Sequence, residues 1–425
     1  MFTPPPSQVR DMSARVPRLT PMPALARRLG LTDAVVIGLS AMLGAGVFVA
    51  FAPAASLAGG PLLLAALAVA GVVAYCNASS SAALAALHPE SGGTYVYGRE
   101  RLGPFWGFLA GWGFVVGKTA SCAAMALTIG AYLWPEYARP VGIAAVTALT
   151  AVNLRGVAKT ALAAKIFLAV TAAVLVLVAA VGVGDLSAPL DFGTPAGGLH
   201  GVLGAAGLMF FAFAGYARIA TLGEEVREPA RTIPRAIGLA LAVVVVLYAI
   251  LAVIALLVLG PALPNSTAPL ADVVTTAGLP GLAPVVRVGA GIAVVGVLLS
   301  LLAGVGRTTL AMARRRDLPG FLAAVHPVRQ VPHRAELAVG VLVAVLVAVT
   351  DLRGVIGFSS FAVLGYYAVA NASAWTLGGR WRRIVAGVGL VGCLVVGFSL
   401  PWRSLAAGAA LLAVGAVVYA VRRRA

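Results

Sequence analysis

The stretch Ile37-Gly-Leu-Ser-Ala-Met-Leu-Gly-Ala-Gly-Val-Phe-Val49 decides how this chain is read. It lies in a run over about 33–52 that is apolar after Asp33, the length needed to enter a bilayer, for which roughly 20 mostly apolar residues suffice. Yet its middle, Gly44-Ala45-Gly46, is a weak place for a helix. A second run, 198–222, carries small residues at the same depth: Ala214, Gly215 and Ala217. Working outward, 425 residues that are 61% apolar and 11% charged, with a mean hydropathy of +0.99, do not describe a water-soluble surface.

Twelve apolar runs follow one another: 33–52, 61–87, 103–134, 140–153, 160–183, 198–222, 235–259, 283–312, 335–350, 352–378, 384–400 and 404–421. Inside lipid every backbone polar group must be satisfied within the segment, and no ten-residue alternation suggests a barrel, so the runs are expected to be helices. The expectation is an all-α membrane protein with twelve transmembrane helices. Residues 1–30, rich in proline and arginine and without a cleavage site, read as a retained cytoplasmic tail. Lys and Arg divide unevenly: twenty-six fall on the side of the amino terminus, Arg139, Arg287, Arg353 and Arg403 on the other, and Lys118 alone at the centre of a run. That bias places both termini in the cytoplasm. The net charge of +17 thus has a membrane explanation, and no basic helix with interleaved aromatics argues for nucleic acid.

The fourth and ninth runs are both short and lie five helices apart, as do the first and sixth with their central small residues. Corresponding weak points in two halves point to an inverted repeat whose broken helices build a midplane site. The organisation expected is a first five-helix repeat over 31–185, a second over 196–378, and two further helices with a basic carboxyl terminus over 380–425. A helix broken in the membrane exposes N–H groups at one stub and carbonyls at the other. An amino acid supplies both complements. Its carboxylate suits the N–H groups around Gly44 to Val47; its ammonium suits carbonyls near Met42, Leu43 and Phe211 to Ala214. Gly103, Gly107 and Gly111, spaced by four, read instead as helix packing.

Four segments together resemble the amino acid, polyamine and organocation superfamily of permeases. They are the Ile37–Val49 stretch; Ser91-Gly-Gly-Thr-Tyr-Val-Tyr97; Phe210-Phe-Ala-Phe-Ala-Gly-Tyr216 with Gly223-Glu-Glu-Val-Arg-Glu-Pro229 and Thr232-Ile-Pro234; and Arg307, Met312-Ala-Arg314, Leu318-Pro319 and Val325-His-Pro327. The resemblance implies a LeuT-type fold, a five-plus-five inverted repeat with helices one and six broken. It further implies that Ser40, Ala41, Met42, Gly44, Ala45 and Gly46 surround the substrate's carboxylate and amine. Phe211, Ala212, Phe213, Ala214 and Gly215 would line the other side, with Phe211 as the aromatic gate closing from outside.

Lys118 is the sharpest single feature. It sits midway along 103–134, too deep to reach either interface easily, and a buried ammonium needs a partner, water or loss of its proton. Three roles are open to it: coupling proton uptake to transport, contacting a substrate carboxylate, or bonding backbone carbonyls of a broken helix. Relatives within the superfamily that carry a lysine in helix five have Thr171 at the matching position here. Thr171 and Ser300 could then help ligate sodium, although such hydroxyls more often bond their own helix. Arg218 is expected to pair with Glu224 or Glu225. The mixed charges of Glu224 to Arg235 and of Arg314 to Asp317 fit either a solvated surface or an inner gate. With no acid at the centre of any run, a cationic substrate would lack a counter-charge, so neutral amino acids are favoured.

The reading is therefore a secondary active amino acid transporter in the plasma membrane, working by alternating access with proton rather than sodium coupling. An uncoupled exchanger or exporter is the alternative. A membrane-embedded enzyme would want a nucleophile and base or paired acids, and these are not in evidence. No cofactor is expected. Cys76, Cys122 and Cys393, and His88, His200, His326 and His333, have no metal-ligand spacing.

Overall fold

The computed structural model describes residues 29–88, 92–156, 161–188, 198–220 and 226–424. The tail over 1–28, Ser91, Glu224 and Glu225 lie outside the described residues, and with them the expected pairing of Arg218 with either glutamate.

Every apolar run carries helix. The first is in three pieces, α1 (Leu31–Met42), α2 (Ala45–Val49) and α3 (Phe51–Ala58). After it come α4 (Leu62–Leu87), α5 (Thr94–Leu102), α6 (Pro104–Leu133), α7 (Ala138–Leu154) and α8 (Ala161–Gly182). The sixth run is α9 (Gly198–Phe213), a 3₁₀ turn over Ala214–Tyr216, and α10 (Ala217–Ala220). Then follow α11 (Pro229–Leu259), α12 (Pro269–Thr276), α13 (Ala283–Arg314), α14 (His333–Val349), α15 (Leu352–Trp375), α16 (Arg380–Phe398) and α17 (Trp402–Arg424). Among the described residues the one β contact outside helices is an isolated bridge between Leu29 and Val226.

Among the described residues ten segments are long and apolar enough to cross a membrane. The fourth and ninth runs form α7 and α14, each 17 residues. At 1.5 Å per residue that is about 26 Å, slightly less than a hydrocarbon core of roughly 30 Å. The chain also forms two short helices that the apolar runs do not contain. One is α5, which leads into α6; the other is α12, between α11 and α13.

The interruption in the first run is local. Leu43 leaves the helical region (φ −79°, ψ 56°), the Gly44 N–H turns back to the Met42 carbonyl at 2.8 Å, and Gly44 too is non-helical (φ −113°, ψ −145°). Ala45 and Gly46, which the sequence placed inside the break, already belong to α2. The second interruption, between α2 and α3, follows from Pro53, which has no N–H to offer the Val49 carbonyl and is tolerated because it sits in the first turn of α3. Helical structure thus runs on to Ala58, beyond the apolar run's end.

Burial sorts the helices. Of the apolar stretches, 78% of α6, 78% of the α9–α10 segment and 83% of α15 are buried, against 28% of α16 and 22% of α17. The two carboxyl-terminal helices lie at the edge of the bundle, held in part by the Trp112 indole N–H, which donates to the Leu411 carbonyl at 2.9 Å. The Gly107 and Gly111 positions do allow close packing: a Cβ at Gly107 would come within 2.6 Å of the Arg99 Cβ, and one at Gly111 within 2.9 Å of the Met312 sulfur.

The first and sixth runs meet backbone to backbone. A Cβ on Gly46 would stand 2.3 Å from the Ala212 Cα, and one on Gly215 would stand 2.3 Å from the Ala41 carbonyl oxygen. Nothing larger than glycine fits without displacing main chain. Gly46→Ala and Gly215→Ala are each expected to destabilise by about 2 kcal/mol, read as a lower melting temperature of purified protein. Gly304→Ala, whose Cβ meets nothing within 4 Å, should leave it unchanged. Equal behaviour of all three would contradict this packing.

Candidate functional site

The residues around the two interruptions come together at one level of the bundle. Met42, Gly44, Ala45 and Gly46 from the first run lie against Phe211, Ala212, Phe213, Ala214 and Gly215 from the sixth, all of them buried apart from a partly exposed Gly215. Ser40 and Ala41 sit one turn earlier on α1, and the Ser40 hydroxyl donates to the Val36 carbonyl at 2.7 Å. Phe211 is 9% exposed, at the margin of the buried set.

The carbonyls freed by the interruptions have partners. The Tyr248 hydroxyl, from α11, reaches the Met42 carbonyl at 2.7 Å and the Ala212 carbonyl at 3.1 Å, so one phenol spans both broken segments. Its ring lies 5.2 Å from that of Phe213 and 6.5 Å from that of Phe51. The Lys118 ammonium donates to the Ala214 carbonyl at 3.4 Å, with its residue 7% exposed. Among the described residues Lys118 takes part in no ion pair. On the other side of the break, Tyr132 of α6 donates to the Phe48 carbonyl at 2.7 Å and accepts from the Leu270 N–H of α12 at 3.4 Å. The amino end of α2, at Gly44, has no side-chain cap. The site therefore presents carbonyls served by side-chain donors, that of Met42 by both the Gly44 N–H and Tyr248, and an uncapped amide end.

Thr171 stands on α8 and Ser300 on α13. The Thr171 hydroxyl donates to the Phe167 carbonyl of its own helix at 2.7 Å. That bond commits its proton but leaves its oxygen lone pairs; Ser300 is half-buried on α13. No acidic residue stands among the residues at the interruptions.

Tyr248 and Tyr132 escaped the reading of the sequence, although each is a phenol within an otherwise apolar run, a pattern that signals a buried hydroxyl with a carbonyl to serve. A second missed group is the buried pair Asn77 and Asn371. The Asn371 amide donates to the Asn77 side-chain oxygen at 2.6 Å, and the Cys393 thiol reaches the same oxygen at 3.2 Å, tying α4, α15 and α16 together.

Toward the arginine-rich end, α5 and the end of α13 are clamped. The Tyr95 hydroxyl donates to Asp317 at 2.5 Å, Arg99 pairs with the same carboxylate oxygen at 3.0 Å, and the Arg315 guanidinium lies over the Tyr95 ring at 5.5 Å. Burial, then the bond to Asp317, holds the Tyr95 phenol above its usual pKa, so it stays a donor. Asp317, one of the mixed charges after α13, is thus engaged and not simply solvated. By contrast Glu228 and Arg231 form a 3.8 Å pair that is largely exposed.

Toward the opposite end lies a cavity of about 220 Å³, lined by Val49 and Pro53 of the first run, Ser266 and Thr267, and Asp351 and Arg353 at the start of α15.

Comparison with known proteins accords with this geometry. A family model described as Amino acid permease matches residues 33–380. An uncharacterized transporter of Mycobacterium tuberculosis is 62% identical over 406 residues, covering 94% of this chain and 92% of that protein. Cationic amino acid transporter 7, chloroplastic, of Arabidopsis thaliana is 28% identical, covering 90% of this chain and 68% of its own. The branched-chain amino acid permease BcaP of Bacillus subtilis is 25% identical, covering 93% of each.

Removing the Tyr248 hydroxyl leaves two buried carbonyls short of a donor while keeping the ring. Tyr248→Phe should lower stability by about 1–3 kcal/mol and reduce substrate affinity, measured by thermal melts with and without amino acid. A variant with wild-type melting and wild-type ligand response would show that the bridge does not organise the breaks.

Proposed function

The chain belongs to the amino acid permease family and is a transporter, not an enzyme; from that premise we propose that it moves neutral amino acids across the plasma membrane by alternating access, coupled to protons. The observation that carries the reading is the crossing of two interrupted helices, with an uncapped amide end at Gly44 and carbonyls at Met42, Ala212 and Ala214 held ready by Tyr248 and Lys118. A substrate carboxylate sits at the amides of Ala45 to Val47, and its ammonium lies beside the carbonyls of Ala212 and Ala214. Ser40, Ala41 and Met42 complete the α1 wall. Phe211 closes over the ligand from the outer side.

The architecture in this reading is twelve transmembrane helices in a five-plus-five inverted repeat with α16 and α17 added, both termini cytoplasmic. The shortness of α7 and α14 and the matched interruptions support the repeat; the arginine distribution supports the orientation. The Asp317 clamp with Tyr95 and Arg99 is then an inner gate, and the cavity by Asp351 and Arg353 lies on the outer approach.

Relatives' names span cationic and branched-chain substrates, so substrate choice rests on the site itself. A buried ammonium at Ala214 and no carboxylate at the interruptions disfavour a cationic side chain. Lys118 is the coupling group: its bond to Ala214 links its protonation to the shape of the sixth-run break. The Thr171 bond to its own helix is the ordinary use of a hydroxyl in such a helix, and the reading keeps protons ahead of sodium.

Competition against labelled leucine uptake in proteoliposomes should show inhibition by alanine and leucine and little by arginine; potent inhibition by arginine alone would overturn the substrate reading. Lys118→Ala should express normally and flatten the pH dependence of uptake, while replacing sodium by choline leaves wild-type uptake unchanged. Retention of the wild-type pH profile in Lys118→Ala would remove Lys118 from coupling.

A further inference from the structure

A groove of about 70 Å³ opens between α4 and α16 at the arginine-rich end of the bundle, away from the interrupted helices. Tyr75, Ser79 and Ser80 of α4 form one wall; Trp381, Arg382 and Val385 of α16 form the other. With a water occupying roughly 30 Å³, the space suits a phosphate-sized group. Its two walls continue as apolar surface toward the bilayer interior: Val72 and Tyr75, one turn apart on α4, are 55% and 48% exposed, and Val388, one turn beyond Val385, is 47% exposed.

Of the residues lining the groove, Arg382 is the charged one. Arg380, Arg382 and Arg383 open α16, the helix's amino end adds its positive field with no side-chain cap at Gly379, and α4 carries no charged residue. No aspartate or glutamate follows Asp351 in the sequence, and among the described residues none of these arginines takes part in an ion pair. Trp381, 70% exposed, sits beside Arg382 where an indole favours the headgroup level.

We propose that this groove is a binding site for an anionic phospholipid of the inner leaflet, its phosphate on Arg382 and the serine hydroxyls and its acyl chains along Tyr75 and Val388. Basic pockets between membrane helices suit such headgroups, each arginine contributing on the order of 1 kcal/mol, about fivefold in occupancy. The lipid ties α16, one of the least buried helices, to α4 at a place where Cys393 and Asn77 join them deeper in the bundle. The site is independent of the transported substrate; its leaflet rests on the orientation proposed above.

Native mass spectrometry of protein purified from membranes containing phosphatidylglycerol should find this lipid retained by the wild type and reduced about fivefold in Arg382→Gln. Arg403→Gln, at the opposite end of the bundle, should match the wild type. Equal retention by Arg382→Gln, or equal loss in Arg403→Gln, would overturn the site. On the wild type alone, phosphatidylglycerol vesicles should raise the melting temperature above that in phosphatidylcholine vesicles. No such rise, or the same rise on adding inorganic phosphate to detergent-solubilised protein, would also refute a lipid site.

Discussion

A peptide group that leaves a helix inside a bilayer has no water to turn to, and the rest of this structure is arranged around that constraint. Two helices are interrupted at the same level, and the carbonyls they release at Met42, Ala212 and Ala214 are met by two side chains, Tyr248 and Lys118, from α11 and α6. Each donor does more than fill a lone pair. Tyr248 spans both breaks and so ties their geometries together, and Lys118 places a positive charge where the sixth run turns. Glycine at 46 and 215 lets the two backbones approach closely enough for one phenol to serve both.

The amide side of the break is treated differently. The carbonyls are capped by side chains, but the amino end of α2 has none, and Tyr132 instead serves a carbonyl within α2 at Phe48. That asymmetry gives the site a direction: an acceptor-seeking end and an end already supplied with donors. A zwitterion fits with its carboxylate at the amides, because an anion gains most from an uncapped helix start. Lys118 also explains why a donor-rich, acid-free site differs from one built for a cationic side chain.

Much of this was legible in the sequence because it depends on local composition. Gly44 to Gly46 and Gly215 marked the interruptions, and the short fourth and ninth runs became the 17-residue α7 and α14. Lys118 stood out as a charge with nowhere to go, and the carbonyl of a broken helix was among the partners foreseen for it. The break itself lies at Leu43 and Gly44, slightly earlier than the glycine pair suggested, since Ala45 and Gly46 can still form the start of α2. What stayed hidden depends on which residues meet across the fold. Tyr248 is 206 residues from Met42, and Asn371 is 294 from Asn77; no periodicity encodes such pairs. The helices α5 and α12 were missed for another reason, as they lie outside the long apolar runs that guided the reading.

Substrate held at the two interruptions is what ties these features to transport. A structure determined with a transported neutral amino acid bound tests this most directly. The expected result is a carboxylate within hydrogen-bonding distance of the Ala45 to Val47 amides and an ammonium beside the carbonyls that Tyr248 and Lys118 serve. An unbroken helix from Leu31 to Ala58, or a ligand bound elsewhere with those amides untouched, would contradict it.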